Sequence, residues 1–503
     1  MIDQGSENSA ETDKVKFKNY ESDFINKDFS KLTVKQKIEL LKLQNKKIKD
    51  PAEQRHQKAT ATFKNAKKKE KQLHGDSTNL TDHQVRVILH ALIQNNSEAS
   101  YLLALTLFSG QNIVASSNKI KVDLIDHIEY SFEPNIKQNS IQEGLEQVYL
   151  PTNKIIRFPL PDFFEQYQKR DQDNNDIEGL LDIINSQIYR PITINQITNY
   201  MSYWMSNEDV DSSIINLVRG TADKLSGTNY YLTSINNICH VYDSYLSHLC
   251  QVGDIKLPQQ TNMIFGCIGS NVVVKSHFVS RLFQVLSNRL NQTQLNNKEQ
   301  IKEHHNLFTV YTILLLNLCT GHRPVDHPYM TLDYFDLESD RIFINDKGHK
   351  YGDNHRVLVL PQIAVKQINA YLNYLQELSH TYRLIDSELV STVNQILKGQ
   401  LPLFHFLHTK LVPIKNRQLT KKLKNIFPVK SNWNRHYMRT TLRGYGVDGQ
   451  SVDLWMGHEG IGGSGLAQHA AGSMQQLVAV ADQIEKITAD LKIEMIKGKL
   501  NEK

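Results

Sequence analysis

Residues 432–458 read NWNRHYMRTTLRGYGVDGQSVDLWMGH, and this stretch decides how the rest of the chain is understood. It contains His436-x-x-Arg439 and closes on Gly457-His458. Positions three apart on a helix share a face. His436 and Arg439 are therefore expected to point the same way, one a proton donor and acceptor, the other a permanent cation with a planar fork of donors. Tyr445-Gly446 supplies a stop, because glycine tolerates the left-handed turn past a helix end. Val452, Leu454, Trp455 and Met456 read as a second, buried helix that ends at Gly457. Two basic groups on one helix and a histidine at the end of the next converge on something anionic. The plainer alternative is a packed helix pair with an incidental His and Arg.

A second stretch bears on that choice. Leu314 to Cys319 is apolar and closes on Thr320-Gly321-His322-Arg323-Pro324, which places an arginine just beyond a helix break. Arg341 to Asn345 and His355 to Leu360 are two short runs rich in branched residues around a polar loop. They read as a β-hairpin with Lys347-Gly348 in its turn.

Thr320-Gly321-His322-Arg323, the hairpin Lys347, His436-x-x-Arg439 and Gly457-His458, in that order, resemble the boxes of the tyrosine recombinases, the phage-integrase superfamily. The resemblance covers roughly 306–469. It implies a mainly α fold with small antiparallel β-sheets (α+β), in which a recombinase-like C-terminal catalytic domain follows a helical DNA-binding domain. It also implies double-stranded DNA as partner, self-association on DNA, other recombinase subunits as possible companions, and catalysis with no cofactor or metal. Arg323, Lys347, His436, Arg439 and His458 are the implied catalytic set. The arginines would hold non-bridging phosphate oxygens bidentately. The histidines would bond the same oxygens or move a proton, and Lys347 would protonate the leaving 5′ oxygen. A covalent intermediate would conserve the bond energy for rejoining.

One departure stands out. The family places a nucleophilic tyrosine shortly after the last histidine, yet no tyrosine follows Tyr445. Ser464, His469 and Ser473 are the nucleophile candidates in that region, Ser464 a poorer one because an aliphatic hydroxyl is far less acidic than a phenol. A tyrosine from another protomer or a partner is the other route. The readings in competition are therefore a recombinase with an unusual or borrowed nucleophile, a DNA-binding accessory subunit that no longer cuts, and a nucleic-acid-binding regulator that reuses the fold.

The 503 residues exceed a single core. We expect a lysine-rich arm (1–78), an α/β domain (79–190), a helical core-binding-like domain with a Gln/Asn-rich linker at its end (191–302), and the catalytic domain (303–503). In 79–190, the helix ending Ser109-Gly110-Gln111-Asn112 echoes the passage to Arg323, with Asn112 where the arginine stands. Convergent helix–turn–strand chemistry is the simpler account; a degenerate copy of the catalytic fold's first half is the other. The aromatic residues Tyr200, Trp204, Tyr242 and Tyr245 read as core, and Arg417 to Asn425 as a basic face for DNA.

Net charge is +5 with a pI of about 8.7, a mild excess that suits a phosphate-bearing partner. Hydrophobic content of 40% and a mean hydropathy of −0.44 describe a globular chain with polar segments. Cys239, Cys250, Cys267 and Cys319 match no disulfide framework or common zinc spacing, which predicts reduced thiols and no metal. The first residues lack a secretory apolar core and no run is long enough to span a bilayer, so a cytoplasmic, nucleoid-associated protein is expected.

Overall fold

Helices that stop on a left-handed glycine set the path of this chain. The structure is a computed structural model, and it describes residues 79–500 apart from 115–119, 124–127, 171–174, 222–226, 259–265, 294, 346–354 and 458–472. The lysine-rich arm lies outside the described residues.

Thr81 opens the first helix, α1 (Asp82–Gln94), with a reciprocal capping box to Gln84. Its partner α2 (Glu98–Ser109) is capped by Ser97 and ends at Gly110, φ 63°. The strands β1 (Lys121–Asp123), β2 (Glu129–Phe132) and β3 (Ile156–Pro159) follow as an antiparallel meander in sequence order. Between β2 and β3, Glu146–Val148 forms a 3-10 turn. Next come α3 (Ile177–Ser186), α4 (Ile194–Asn207) and α5 (Ser212–Val218). A short strand β4 (Leu232–Ser234) leads into α6 (Ile235–Gly253) and pairs with β5 (Cys267–Gly269).

The second half opens in the same order, with two helices and an antiparallel meander. The helices α7 (Ser276–Gln292) and α8 (Lys298–Thr320) precede Gly321, φ 61°. A second antiparallel meander follows: β6 (Phe335–Asp336), β7 (Arg341–Asn345) and β8 (His355–Val359), with Arg341 opposite Val359. The hairpin read from sequence is β7–β8. Then come α9 (Gln362–Thr381), α10 (Ser387–Leu397), the β9 (His405–Leu407) and β10 (Leu411–Pro413) ribbon, α11 (Asn416–Lys424), α12 (Trp433–Gly444), α13 (Gly449–Met456) and α14 (Met474–Asp490). The fold is thus mainly helical with small antiparallel sheets.

Two apolar cores are built this way. One core runs from Leu80 to Ile268 without a break at 190. The reason is α4, whose Ile197, Met201 and Met205 are buried; Met201 lies against Gly110 at the end of α2. The other core already includes Val279, Phe283 and Leu286 of α7. The Gln/Asn-rich stretch at 291–302 covers the end of α7 and the start of α8, with Asn297 capping α8. At the centre lies α8, buried from Phe308 to Thr320 apart from Asn317. Each large apolar side chain there contributes roughly 1.5–3 kcal/mol by burial. The α14 helix packs Leu477, Val480, Ala481, Ile484 and Ile487 on this same core, and the chain beyond it buries Ile493 and Ile496. Among the described residues no helix is long and apolar enough to cross a membrane.

The two halves share more than element order. After α4 and α12 the chain turns through a left-handed residue, Asp209 (φ 53°) or Gly446 (φ 82°). Val210 N–H returns to the Met205 carbonyl at 3.0 Å, and Val447 N–H to that of Leu442 at 3.1 Å. Asp211 then caps α5 as Asp448 caps α13. Gly220 (φ 65°) and Gly457 (φ 63°) follow at the same remove. All four pairs fall in one register.

Three histidines lie buried where α8 meets β9. His305 Nε2 donates to the His405 carbonyl at 3.2 Å, and His304 Nε2 accepts from Lys499 N–H at 3.0 Å. Burial holds each near 4, helped for His304 by the Lys499 charge and for His405 by His327. These values lie below the unfolded value of about 6.5, so the unfolded chain takes up protons first. Their contribution is complete above about pH 6.5 and falls as pH drops toward 4, by about 2 kcal/mol for each at pH 5. Urea unfolding of the wild type should weaken steeply between pH 7 and 5. The His305→Gln variant should show a shallower dependence; an unchanged slope would contradict the assignment.

Candidate phosphate-binding site

The last turn of α8 is where the sequence motifs meet. Its terminal carbonyls have no partner within the helix and lie in an apolar core, so side chains must satisfy them. Asn434 Nδ2 donates to Asn317 O at 2.8 Å and to His322 O at 3.0 Å. Arg356, on β8, donates to Thr320 O at 3.3 Å. Arg435 Nη1 donates to Gly321 O, and its Nη2 to Met456 O at 2.8 Å. Arg356 also lies against Gly457, where an added Cβ would stand 2.9 Å from its Nη1. The turn before Arg323, the hairpin, α12 and the end of α13 are thereby joined at one point.

Arg323 stands just past this junction. It borders a cleft with Asn317, Asn416, Thr420, Ser431 and Asn434. The loop that follows it holds three non-glycine residues in the left-handed region, His327 (φ 50°), Tyr329 (φ 63°) and Met330 (φ 52°). Such geometry costs roughly 1 kcal/mol or more per residue and persists only where the surroundings fix it. Here His327 N–H bonds Ile414 O at 2.9 Å, and the Tyr329 hydroxyl donates to Asn317 Oδ1 at 2.8 Å and meets Thr320 Oγ1 at 3.0 Å. Beside the cleft, α11 exposes Lys421 and Lys424, with exposed Lys415 and Arg417 at its start and no acidic residue along its length.

The expected His436 and Arg439 pair does not form a shared anionic socket. Arg439 is fully buried, paired with Asp453 and donating to Ser213 Oγ at 2.8 Å. Its guanidinium lies against Gly227, where any side chain would collide with it. It ties α12 to α13 and to the first half of the chain. His436 is also buried. Asn432 Nδ2 donates to its Nε2 at 3.1 Å, which leaves the Nδ1 proton to donate to Ser270 Oγ at 2.7 Å. Burial, with the charges of Arg435 and Lys430, lowers it to about 3. It is therefore neutral at physiological pH, with both ring nitrogens engaged. Lys347, His458, Ser464 and His469 lie outside the described residues. Ser473 is exposed and caps α14.

Sequence reading missed Arg356 and Arg435. Arg356 shares the inward face of β8 with buried Leu358, an unusual place for a charge and a period-two signal that was available. Arg435 follows Asn432 at the same spacing that Arg439 has from His436.

No family model and no curated relative matches the chain. Among solved structures, a crystal structure of XerA recombinase is similar over 49% of this chain and 76% of that one, at 14% identity and a TM-score of 0.26. The site is accordingly argued from its own residues.

If Arg439 is an anchor and no ligand contact, removing its counter-ion strands a buried charge. Asp453→Ala should cost about 3–5 kcal/mol in urea unfolding. The paired Asp453→Leu, Arg439→Met variant should recover most of that loss. A single variant within 1 kcal/mol of wild type would contradict the role.

Proposed function

We propose that the chain binds duplex DNA through its second half and acts there as a recombinase-like DNA breaking and rejoining protein. The observation that supports this reading best is the placement of Arg323. It stands on an over-determined loop at a small cleft whose lining mixes Leu314, Val325, Leu419 and Trp433 with Asn317, Asn416, Thr420, Ser431 and Asn434, beside a helix whose exposed charges are all basic. A guanidinium suits the non-bridging oxygens of a backbone phosphate, which carry the charge that develops during displacement. The α11 lysines and Lys430 extend along flanking phosphates and supply affinity without sequence reading. Arg356 and Arg435 hold the Arg323 turn in place. Lys347 takes the role of acid toward the leaving 5′ oxygen, and His458 that of a hydrogen-bond donor to the phosphate.

A second reading, a DNA-binding accessory subunit that does not cut, is favoured by the missing tyrosine after Tyr445 and by the engagement of both His436 and Arg439 within the fold. Self-association on DNA and the company of other recombinase subunits belong to both readings.

Binding and cleavage can be separated by experiment. Titrating the chain into sheared genomic DNA from its source organism should give an affinity that falls steeply with salt. Lys421→Gln with Lys424→Gln should reduce the log–log salt slope by about 2. Arg323→Ala should reduce strand cleavage far more than binding. No salt-dependent binding would end the proposal; equal loss of binding and cleavage in Arg323→Ala would favour the accessory subunit.

A further inference from the structure

We propose that the cleft between α1, α4 and α6 binds a guanidinium carried on a flexible carbon chain, as an arginine side chain presents it, held over Trp204 between Asp82 and Glu208. The site lies in the first half and shares no lining residue with the Arg323 cleft, so it does not depend on the DNA reading.

The cleft has a volume of about 770 Å³, within the range of small-ligand sites. Its floor is fixed from several elements. Tyr200, Tyr203 and Trp204 share one face of α4, and Glu208 follows a turn later. The Tyr200 hydroxyl lies 2.8 Å from His248 Nε2 on α6 and 3.3 Å from Asp82 Oδ1 on α1. The His248 ring stacks on Trp204, with centroids 5.1 Å apart and 24° between the planes. Tyr245 backs both Tyr200 and Trp204 from the core side. The turn carrying Tyr189 and Arg190 is tied to α1 by Gln84 Nε2, which donates to Arg190 O at 3.1 Å. Core packing accounts for the buried Tyr200 and Tyr245. It does not account for half-buried Tyr203 and Trp204 or fully exposed Tyr189, which leave aromatic surface around one cleft.

Charge selects the occupant. Burial lowers His248, and Asp82 and Glu208 both act against that shift, so both carboxylates bear on the ring stacked with Trp204. His248 is mostly neutral at pH 7, and the lining sets two carboxylates against the one guanidinium of Arg190. The last turn of α4 adds the negative pole of its dipole. The opposite pole, at the start of α1, is already met by the Thr81 cap and Asp82. A phosphate meets repulsion in that field, and a neutral ring leaves the carboxylates unmatched. A guanidinium is flat, stacks on an indole face and pairs with carboxylates through its fork of donors.

The test uses the full chain with Nα-acetyl-argininamide, its uncharged citrulline counterpart, free arginine and adenosine as probes. Saturation-transfer NMR reads binding. Tryptophan emission reports where it occurs, because Trp433 and Trp455 are buried and Trp204 is the partly exposed one of the three tryptophans. We expect the arginine amide to bind saturably and shift the emission, and the citrulline amide to bind about tenfold more weakly or worse. Asp82→Asn with Glu208→Gln should weaken the arginine amide by about tenfold at an unchanged urea midpoint. Glu208→Gln alone, at an exposed position, carries the test if the pair loses the fold. Trp204→Phe should abolish the emission shift and keep most of the binding. Free arginine binding as well as the amide assigns a small-molecule source; binding of the blocked form alone assigns an arginine within a polypeptide. No saturable binding, equal binding of the two amides, an affinity unmoved in the carboxylate variants, or binding with no emission shift overturns the proposal. Adenosine binding in preference to the arginine amide also overturns it, and makes the cleft a base-stacking site.

Discussion

A buried apolar helix whose last carbonyls cannot reach water constrains everything around it. The α8 helix is such an element, and its C-terminal end carries the negative pole of the helix dipole. Arg356 and Arg435 answer that pole with guanidinium groups, and Asn434 with an amide. The desolvation of a fully buried Arg435 is offset by two carbonyl acceptors and by the helix end itself. Because Arg435 also bonds Met456, the same cation that completes α8 sets the distance between α12 and α13. The display of Arg323 is thus a consequence of finishing a helix inside a core.

The first half meets the same constraint from the opposite side. Arg219, at the end of α5, donates to Gly110 O at 2.8 Å and to Thr198 O at 3.4 Å. In the common register Arg219 corresponds to Met456, and Thr198 to Arg435. One guanidinium links the helix end, the long helix and the short helix in both halves, but the element that supplies it is exchanged. Physical necessity preserves the cation's position more strictly than its place in the sequence.

Much of this was legible from short-range chemistry. The Thr-Gly stop of α8, the β7–β8 hairpin and the glycine end of α13 follow from local rules, and the structure has them where the residues put them. The site was less legible, because helical spacing admits two overlapping pairs on α12. Asn432 with Arg435, and His436 with Arg439, each share a face one turn apart. What separates them is contact with residues far away in sequence: Ser213, Gly227 and Ser270 engage the later pair, Gly321 and Met456 the Arg435 turn. At 291–302 polar residues mark two helix ends, since exposed helix termini and linkers draw on the same amino acids.

Two halves in one chain also change what each must retain. A group supplied by a separate subunit acts only when that subunit is bound, whereas a tethered group is present at an effective concentration set by the connection. Here the connection is rigid: Ser213 and Asp211 of the first half bond Arg439 and Arg443 of the second, and Leu232 N–H bonds Thr440. The buried ion pair at Arg439 and Asp453 and the neutral His436 on Ser270 maintain that connection. Their value to the site lies in position, and their burial is what makes the position dependable.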